Sequence, residues 1–147
     1  MSAVLVNVAE AVKAELNNPS APFSQAFVAE RVWVAAFKLE ELRELKVAVA
    51  PRTSEYGAGT RAGPSRDITI DVCVMKRLGD RDAEMADADG LMELVEEIAA
   101  YLDGRPLSQA EGARQVRMEH RPVVSEEHWR EYRQFTSLLA VVYRVES

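Results

Sequence analysis

Two segments of alternating apolar and polar residues, separated by a stretch rich in glycine and arginine, constrain the fold of this chain most. The first is LKVAVAP (45–51) and the second is DITIDVCVMKR (67–77). Alternation with a period of two is the pattern of a β-strand that buries one face. The two segments therefore predict the paired strands of a β-hairpin.

The stretch between them, RTSEYGAGTRAGPSR (52–66), predicts a long and flexible hairpin loop. Hairpins usually need two to five linking residues, and a long structureless loop in a compact domain is usually functional or disordered. Its glycines favour mobility and its arginines make it cationic. An aromatic side chain on such a loop is either a contact anchor or simply solvated. The candidate protein-interaction residues of this loop are Arg52, Tyr56, Arg61 and Arg66.

The other elements follow from the spacing of apolar residues. Three- and four-residue steps predict helices near residues 4–16 and 82–102, the second capped by Asp80 or Asp82 and ended by Gly104. Strand patterns occupy 24–34, 113–124 and 134–147, with Pro122 ending or displacing the fourth strand. At 147 residues the chain has the length of one domain, residues 1–147. The predicted fold is α+β in the order α-β-β-β-α-β-β, a mostly antiparallel sheet flanked by two helices, with a long β-hairpin loop.

The charge of the chain is uneven. The net charge is −6, and the segment from Asp80 to Asp103 holds most of the excess acid. Such a helix is most simply a solvated outer face, with contact to a basic partner as the alternative. General affinity for DNA or RNA needs a basic face, so a nucleic-acid-binding module that uses the basic loop is opposed by the net charge. No apolar run approaches the length of about 18 residues that spans a bilayer, so no membrane partner is expected.

Residues with catalytic or metal-binding chemistry are few and scattered. Only His120 and His128 offer imidazole, and no metal-ligand or nucleotide-binding motif is present, so no catalytic residue, metal or cofactor is predicted. Ser125, His128 and Glu131 lie too close in sequence for a catalytic triad. The single cysteine, Cys73, fits a reducing cytoplasm and reads as a packed strand residue. Asp67 and Asp71 are expected to face solvent beside the hairpin.

Several phrases of the sequence resemble the tail terminator, or tail completion, proteins of long-tailed bacteriophages and prophages. They are VAEAVKAEL, FSQAFVAERVWVAAFKLEEL, VAVAPR before the polar loop, RDITIDVCVMKRL after it, and the closing FTSLLAVVYRV. Together they cover nearly the whole chain. The part with the most weight is RDITIDVCVMKRL, in which a charged pair opens an alternating strand.

The resemblance implies a structural protein with no catalysis and no cofactor. It implies an α+β protomer that closes into a ring, a homohexamer, on the end of the tail tube, stopping tube polymerisation and making the surface to which the head docks. Its implied partners are other copies, the tail tube protein and a head–tail connector or neck protein. The implied location is the tail or neck of the virion, with the host cytoplasm as the place of assembly.

On that basis we expect the loop at 52–66 to be loose in the free subunit and to order within the ring or against the tube. Its arginines would then meet carboxylates of a neighbouring protein or the phosphates of DNA passing through the lumen. Two alternatives stay open. One is a different neck component, and the other is a small ligand-binding α+β module or enzyme whose lid is residues 52–66.

Overall fold

A five-stranded sheet and three helices form from the described residues, which are 3–60 and 63–146 of the computed structural model. The strands are β1 Ala29–Arg31, β2 Lys46–Thr60, β3 Gly63–Arg77, β4 Ala113–His120 and β5 Gln134–Glu146. The helices are α1 Val4–Leu16, α2 Glu84–Leu102 and α3 Glu126–Tyr132, and a short 3-10 turn lies at Glu41–Arg43. The α+β class predicted from the sequence is confirmed.

The sheet is ordered β1-β2-β3-β5-β4. Strand β1 runs parallel to β2, and every other neighbouring pair is antiparallel. The long hairpin of β2 and β3 and the closing strand β5 make its centre. Because side chains alternate across a strand, each of these strands presents one row of residues to each side of the sheet.

One side of the sheet, here called the helical face, carries α1 and α2. Its strands bury Val49, Val72 and Val141, and the amphipathic stripes of the helices supply residues such as Val12 and Leu94. All five side chains are inaccessible to solvent. This layer follows directly from the apolar periodicity of the sequence, since each helix has one apolar side to cover.

The other side, here called the opposite face, has a smaller apolar cluster. Leu42 of the 3-10 turn packs over Ala48, Cys73 and Met75, with Phe37 at the margin. Helix α3 lies beside the β5 end of this side. The helices thus cover the inner part of the sheet on the helical face, and the opposite face has only a smaller cover.

The long flexible loop predicted at 52–66 is wrong for the part of it that the structure describes. Residues 52–60 and 63–66 continue the two strands, with Glu55 paired to Asp67, Tyr56 to Arg66 and Gly57 to Ser65. Bulges between Pro51 and Thr53 and between Gly57 and Thr60 interrupt the register. This section lacks the apolar alternation that predicts a strand, because it is rich in glycine and charged residues. Cross-strand pairs, rather than an apolar face, hold it together.

Two further predictions are corrected. The strand expected at 24–34 is only Ala29–Arg31, because the residues before it lie against α2: both the backbone nitrogen and the hydroxyl of Ser24 donate to Glu97, each over 2.8 Å. The polar segment after β4 forms α3, so the described residues form three α-helices instead of the predicted two, and the third lies between the last two strands. Its N-cap is Ser125, whose hydroxyl accepts from the backbone nitrogen of His128.

The ends of α2 also differ in detail from the prediction. Its N-cap is Ala83, and Asp80 instead accepts a hydrogen bond from the Ala83 nitrogen over 3.0 Å. Its C-terminal end is held by Gln115 of β4, which donates to the Leu102 carbonyl and accepts from the Gly104 nitrogen, both over 2.8 Å. One amide side chain of β4 therefore ties the end of α2 and the residue after its C-cap to the sheet.

Two glycines of this region give a paired stability test. Gly90 lies within α2, and an added Cβ would be 3.7 Å from Gln25 Nε2, an ordinary contact. We expect Gly90→Ala to raise the free energy of unfolding by about 0.5–1 kcal/mol, because alanine loses less backbone entropy in a helix. Gly104 has φ +68, so Gly104→Ala should lower it by about 1 kcal/mol. Urea denaturation measures the free energy of unfolding of both variants. A change in the same direction for both would contradict a helical Gly90 and a left-handed Gly104.

Candidate protein-interaction site

The hairpin section formed by residues 52–60 and 63–66 continues β2 and β3 toward one end of the sheet, and we call it the arm. On one side, β5 accompanies β3 as far as the pairing of Ser65 with Glu146. On the other side, β1 pairs with β2 only at Val47–Val49, so the outer edge of β2 has no strand partner from Arg52 onward within the described chain. At about 3.3 Å per residue, the described section from Arg52 to Thr60 is about 27 Å long. The arm therefore displays a free strand edge.

Tyr56 is an exposed aromatic side chain of the arm. Three quarters of its surface, 75%, is accessible to solvent. The Arg66 guanidinium lies 4.7 Å from its ring centroid, a cation–π distance, and also donates to Ser54 Oγ over 2.9 Å. These contacts orient the ring without covering it, so Tyr56 is presented in a defined position.

Arg52 is committed to its own chain. Its Nε lies 3.0 Å from Asp71 Oδ1, and the Asp71 side chain is 11% exposed. Burial raises the pKa of the Asp71 carboxyl, and the charge of Arg52 opposes that shift. The expectation that Asp71 faces solvent is therefore wrong. Asp71 lies on the opposite face of the sheet, beside Arg52 and residues 33–35, and is buried there. Arg52 balances a buried carboxylate and is only half exposed, which distinguishes it from a free contact residue.

The remaining two candidates have different outcomes. Arg66 makes the Tyr56 and Ser54 contacts described above, so the structure brings two of the predicted residues together on the helical face of the arm. Arg61 lies outside the described residues. The site predicted as one basic loop is thus divided: Tyr56 and Arg66 form a displayed pair, and Arg52 lies at the base of the arm.

An ion pair next to the arm was missed as such by the sequence reasoning. Arg144 of β5 makes two hydrogen bonds to Asp67, with Nε to Oδ1 at 2.8 Å and Nη2 to Oδ2 at 3.1 Å. The bond from Arg144 holds the pKa of Asp67 below its ordinary value. The two residues are direct partners in the register of β3 and β5, and opposite charges on two strand segments are the signal that could have found them.

A groove of about 380 Å³ crosses the opposite face between residues 33–35, the sheet and α3. Its floor is apolar, and Asp71, Cys73 and His128 lie along it. Gln134 donates to Thr136 Oγ1 over 2.8 Å, and the Thr136 hydroxyl is 2.8 Å from His128 Nδ1.

The chemistry of the groove is that of a binding surface more than a reactive one. Burial raises the pKa of the Cys73 thiol to about 12, so the thiol is neutral near pH 7, as expected of a packed cysteine. The Ser125 hydroxyl caps α3, which removes it from the triad geometry considered above. On the helical side of the sheet, His120 Nε2 contacts Ser137 Oγ over 2.6 Å, and burial lowers the His120 pKa.

The groove was not found from the sequence, since its residues come from segments far apart in the chain. The only sequence signal was the presence of Asp71 on the same side of the strand as Cys73. Among residues 3–60 and 63–146, no group of three histidine, cysteine or acidic side chains is placed to hold a metal ion. None of the helices formed by these residues is long and apolar enough to span a membrane.

A scan of protein-family models and a search of curated proteins found no match to this chain.

Proposed function

We propose that this protein is a structural component of a phage tail, whose copies close into a ring, a hexamer, on the end of the tail tube. The ring stops tube polymerisation and forms the surface on which the head, through a connector or neck protein, docks. The protein acts in the neck of the virion after assembly in the host cytoplasm. The observation that carries the proposal is the arm, a paired strand extension that displays an aromatic ring and a free edge outside its own core.

The arm supports an assembly function through its contacts. Its outer edge leaves backbone donors and acceptors unpaired, and an unpaired edge is a template for another chain. Tyr56 is held by Arg66 yet remains open, and tyrosine is a common anchor in protein interfaces. A side chain oriented before binding loses less conformational entropy when a partner covers it.

The distribution of open edges supports a ring in particular. The sheet ends in two different open edges, the arm section of β2 on one side and β4 on the other. Contact between unlike patches is heterologous, and heterologous contacts close into rings when the rotation between copies allows it. A terminator and a neighbouring ring component of the neck share this requirement, so a different neck component is the variant of this proposal.

The direct test uses purified protein and tail tubes in electron microscopy. The expected result is a ring on one end of each tube and tubes that no longer lengthen when tube protein is added. Rings that form but bind only to isolated heads or connectors would favour the other neck component. Tubes that stay uncapped and continue to grow at all protein concentrations would contradict the proposal.

Two of the predicted interaction residues, Arg61 and Arg66, give a quantitative test. We expect Arg61→Ala combined with Arg66→Ala to raise the protein concentration needed for capping about tenfold, because small contributions repeat around a ring. The matched control is Arg43→Ala with Arg130→Ala, which removes the same charge from exposed positions outside the arm. Arg52 is left intact because its loss would leave the buried Asp71 carboxylate without a compensating charge. Equal capping by both double variants, measured by counting capped tubes, would argue against a role for these arginines.

The groove favours a second candidate, the binding of a small ligand with an apolar body and a polar end that meets Arg52 or His128. The arm is a less suitable lid than first expected, because its described residues are paired strands with no open hinge. NMR titration against a small-molecule library tests this function through the indole signals of Trp33, which lines the groove, and of Trp129. Ligand binding by a chain that stays monomeric at every concentration would favour this candidate over the ring.

A further inference from the structure

Four charged residues lie in one row across the sheet, one on each of four neighbouring strands. In register, Glu55 of β2 is opposite Asp67 of β3, Asp67 is opposite Arg144 of β5, and Arg144 is opposite Arg114 of β4. Direct partners point to the same side of a sheet, so all four lie on the opposite face. The two central residues, Asp67 and Arg144, form the ion pair described above.

The two outer members of this row are exposed. Within the described chain, neither Glu55 nor Arg114 has a side-chain hydrogen bond or ion pair. Each lies on an open edge of the sheet, Glu55 on the arm and Arg114 on β4. The row therefore begins with an unpaired acid at one edge and ends with an unpaired base at the other.

We propose that the open edge of the arm, Thr53–Tyr56, pairs with the β4 edge of a second copy, so that Glu55 lies beside Arg114 of that copy. The inference rests on the proposed ring and names the contact that builds it. Strands β2 and β4 run in opposite directions, because three antiparallel pairings separate them. Copies related by a rotation that keeps strand direction therefore meet in an antiparallel pair, which joins their sheets edge to edge.

The same register gives Tyr56 a place in the second copy. Antiparallel pairing of Glu55 with Arg114 puts Tyr56 opposite Ala113, and both lie on the helical face. Ala113 lines a groove of about 310 Å³ whose apolar walls are Val4, Val8, Ala110 and Val145. The displayed aromatic ring of one copy would thus cover an apolar groove of the next, while the charges pair on the other side of the sheet.

Beyond this section the edge is occupied by the protein itself. Strand β1 pairs with β2 at Val47–Val49, and Val32 donates to the Val49 carbonyl over 2.9 Å. An incoming β4 strand therefore has room along the arm but not along the lower half of β2. This limits the contact to a few residue pairs, so the interface relies on the charge pair and on Tyr56.

Charge reversal tests the pairing in solution. Glu55→Arg places two arginines at each contact, and Arg114→Glu places two acids there, so each single variant should associate about fivefold more weakly than wild type. The double variant Glu55→Arg with Arg114→Glu should recover wild-type association. A mixture of the two single variants should recover it as well, since each contact between unlike copies then has one acid and one base. Sedimentation velocity over a concentration series measures all of these.

Disulfide trapping tests the same register and detects weak association. Glu55→Cys with Arg114→Cys, in a Cys73→Ser background, should give covalent dimers, trimers and larger closed species on mild oxidation. Within one copy the two positions are three strand spacings apart, about 14 Å, which is too far for a disulfide. The products must therefore arise between copies. Glu55→Cys alone serves as the control, because dimers from it would indicate pairing of two arms.

The outcomes separate this inference from the proposed function. Single reversal variants that associate like wild type, or cysteine pairs that stay monomeric while rings still cap tubes, would overturn the edge pairing and leave the ring in place. Absence of both trapped species and capped tubes would overturn both. Trapped closed rings with recovery in the double variant are the result that we expect.

Discussion

Replacing Arg52 with alanine is expected to lower the free energy of unfolding by about 2 kcal/mol at neutral pH, although half of the Arg52 side chain is exposed. The reason lies in its partner. Asp71 is 8% exposed, and the Arg52 Nε lies 3.0 Å from its Oδ1, so the charge of Arg52 is its main compensation among the described residues. Breaking a buried pair from one side leaves an uncompensated charge, which costs more than the pair itself contributes.

The loss of stability in Arg52→Ala should depend on pH, in a direction set by the pKa of Asp71. The pKa of Asp71 is raised in the folded protein, so its protonated form favours folding below the ordinary value of 3.8, and that contribution is lost as the pH rises through the folded pKa. The defect of Arg52→Ala should therefore be largest at neutral pH and shrink in acid. Asp67 behaves in the opposite way: its lowered pKa stabilises the fold above 3.8, and this is lost as the pH falls.

Guanidinium chloride unfolding of Arg52→Ala at pH 7 and pH 4 measures this prediction, with Asp71→Asn added to test the cause. The double variant should regain most of the lost stability, because an amide replaces the stranded charge. Arg121→Ala is the matched control, since Arg121 is 81% exposed and its contact with Glu119 spans 3.5 Å; a change below about 0.5 kcal/mol is expected. An Arg52→Ala defect as small as this control would contradict a structural role for Arg52.

Much of the fold was predictable from the sequence because buried residues recur at the period of the helix or strand that contains them. The stripe of α1 gave its position, and the alternation around Val72 gave the inner part of the hairpin. Short β1 was overestimated because Phe27 and Val28 have strand propensity but lie outside the sheet. Contacts with α2 decided that segment, and no local pattern encodes them.

The strand pairing of the arm could not be predicted from the local sequence pattern. Glycine and arginine are frequent in loops, yet Tyr56 and Arg66 face each other across two paired strands. Their pairing depends on register, which is set by the buried strands below and by β5 alongside. The sequence grouped these candidate residues together but did not distinguish their surroundings: Arg52 lies at a buried carboxylate, and Tyr56 is exposed.

Shortening the arm is expected to abolish tube capping while the domain stays folded. The change replaces residues 57–65 with Asn-Gly, a two-residue turn that closes a hairpin directly after Tyr56 and before Arg66. The buried core lies below this point, and of the residues to be removed, those whose burial the structure describes (57, 64 and 65) belong to neither apolar cluster. The free energy of unfolding should therefore change by less than about 1 kcal/mol, since the change leaves both apolar clusters intact. Electron microscopy of tubes mixed with this variant measures the loss of capping.

The shortened variant also separates two parts of the arm. It keeps Thr53–Tyr56, the section proposed to pair with β4 of another copy, and it removes only the tip. Association between copies should therefore survive, while contact with the tube is lost, because a shorter arm no longer reaches beyond its own sheet. A variant that caps tubes like wild type would show that the tip has no part in the contact. Loss of association together with capping would instead place the contact between copies at the tip, which would contradict the pairing through Glu55 and Arg114.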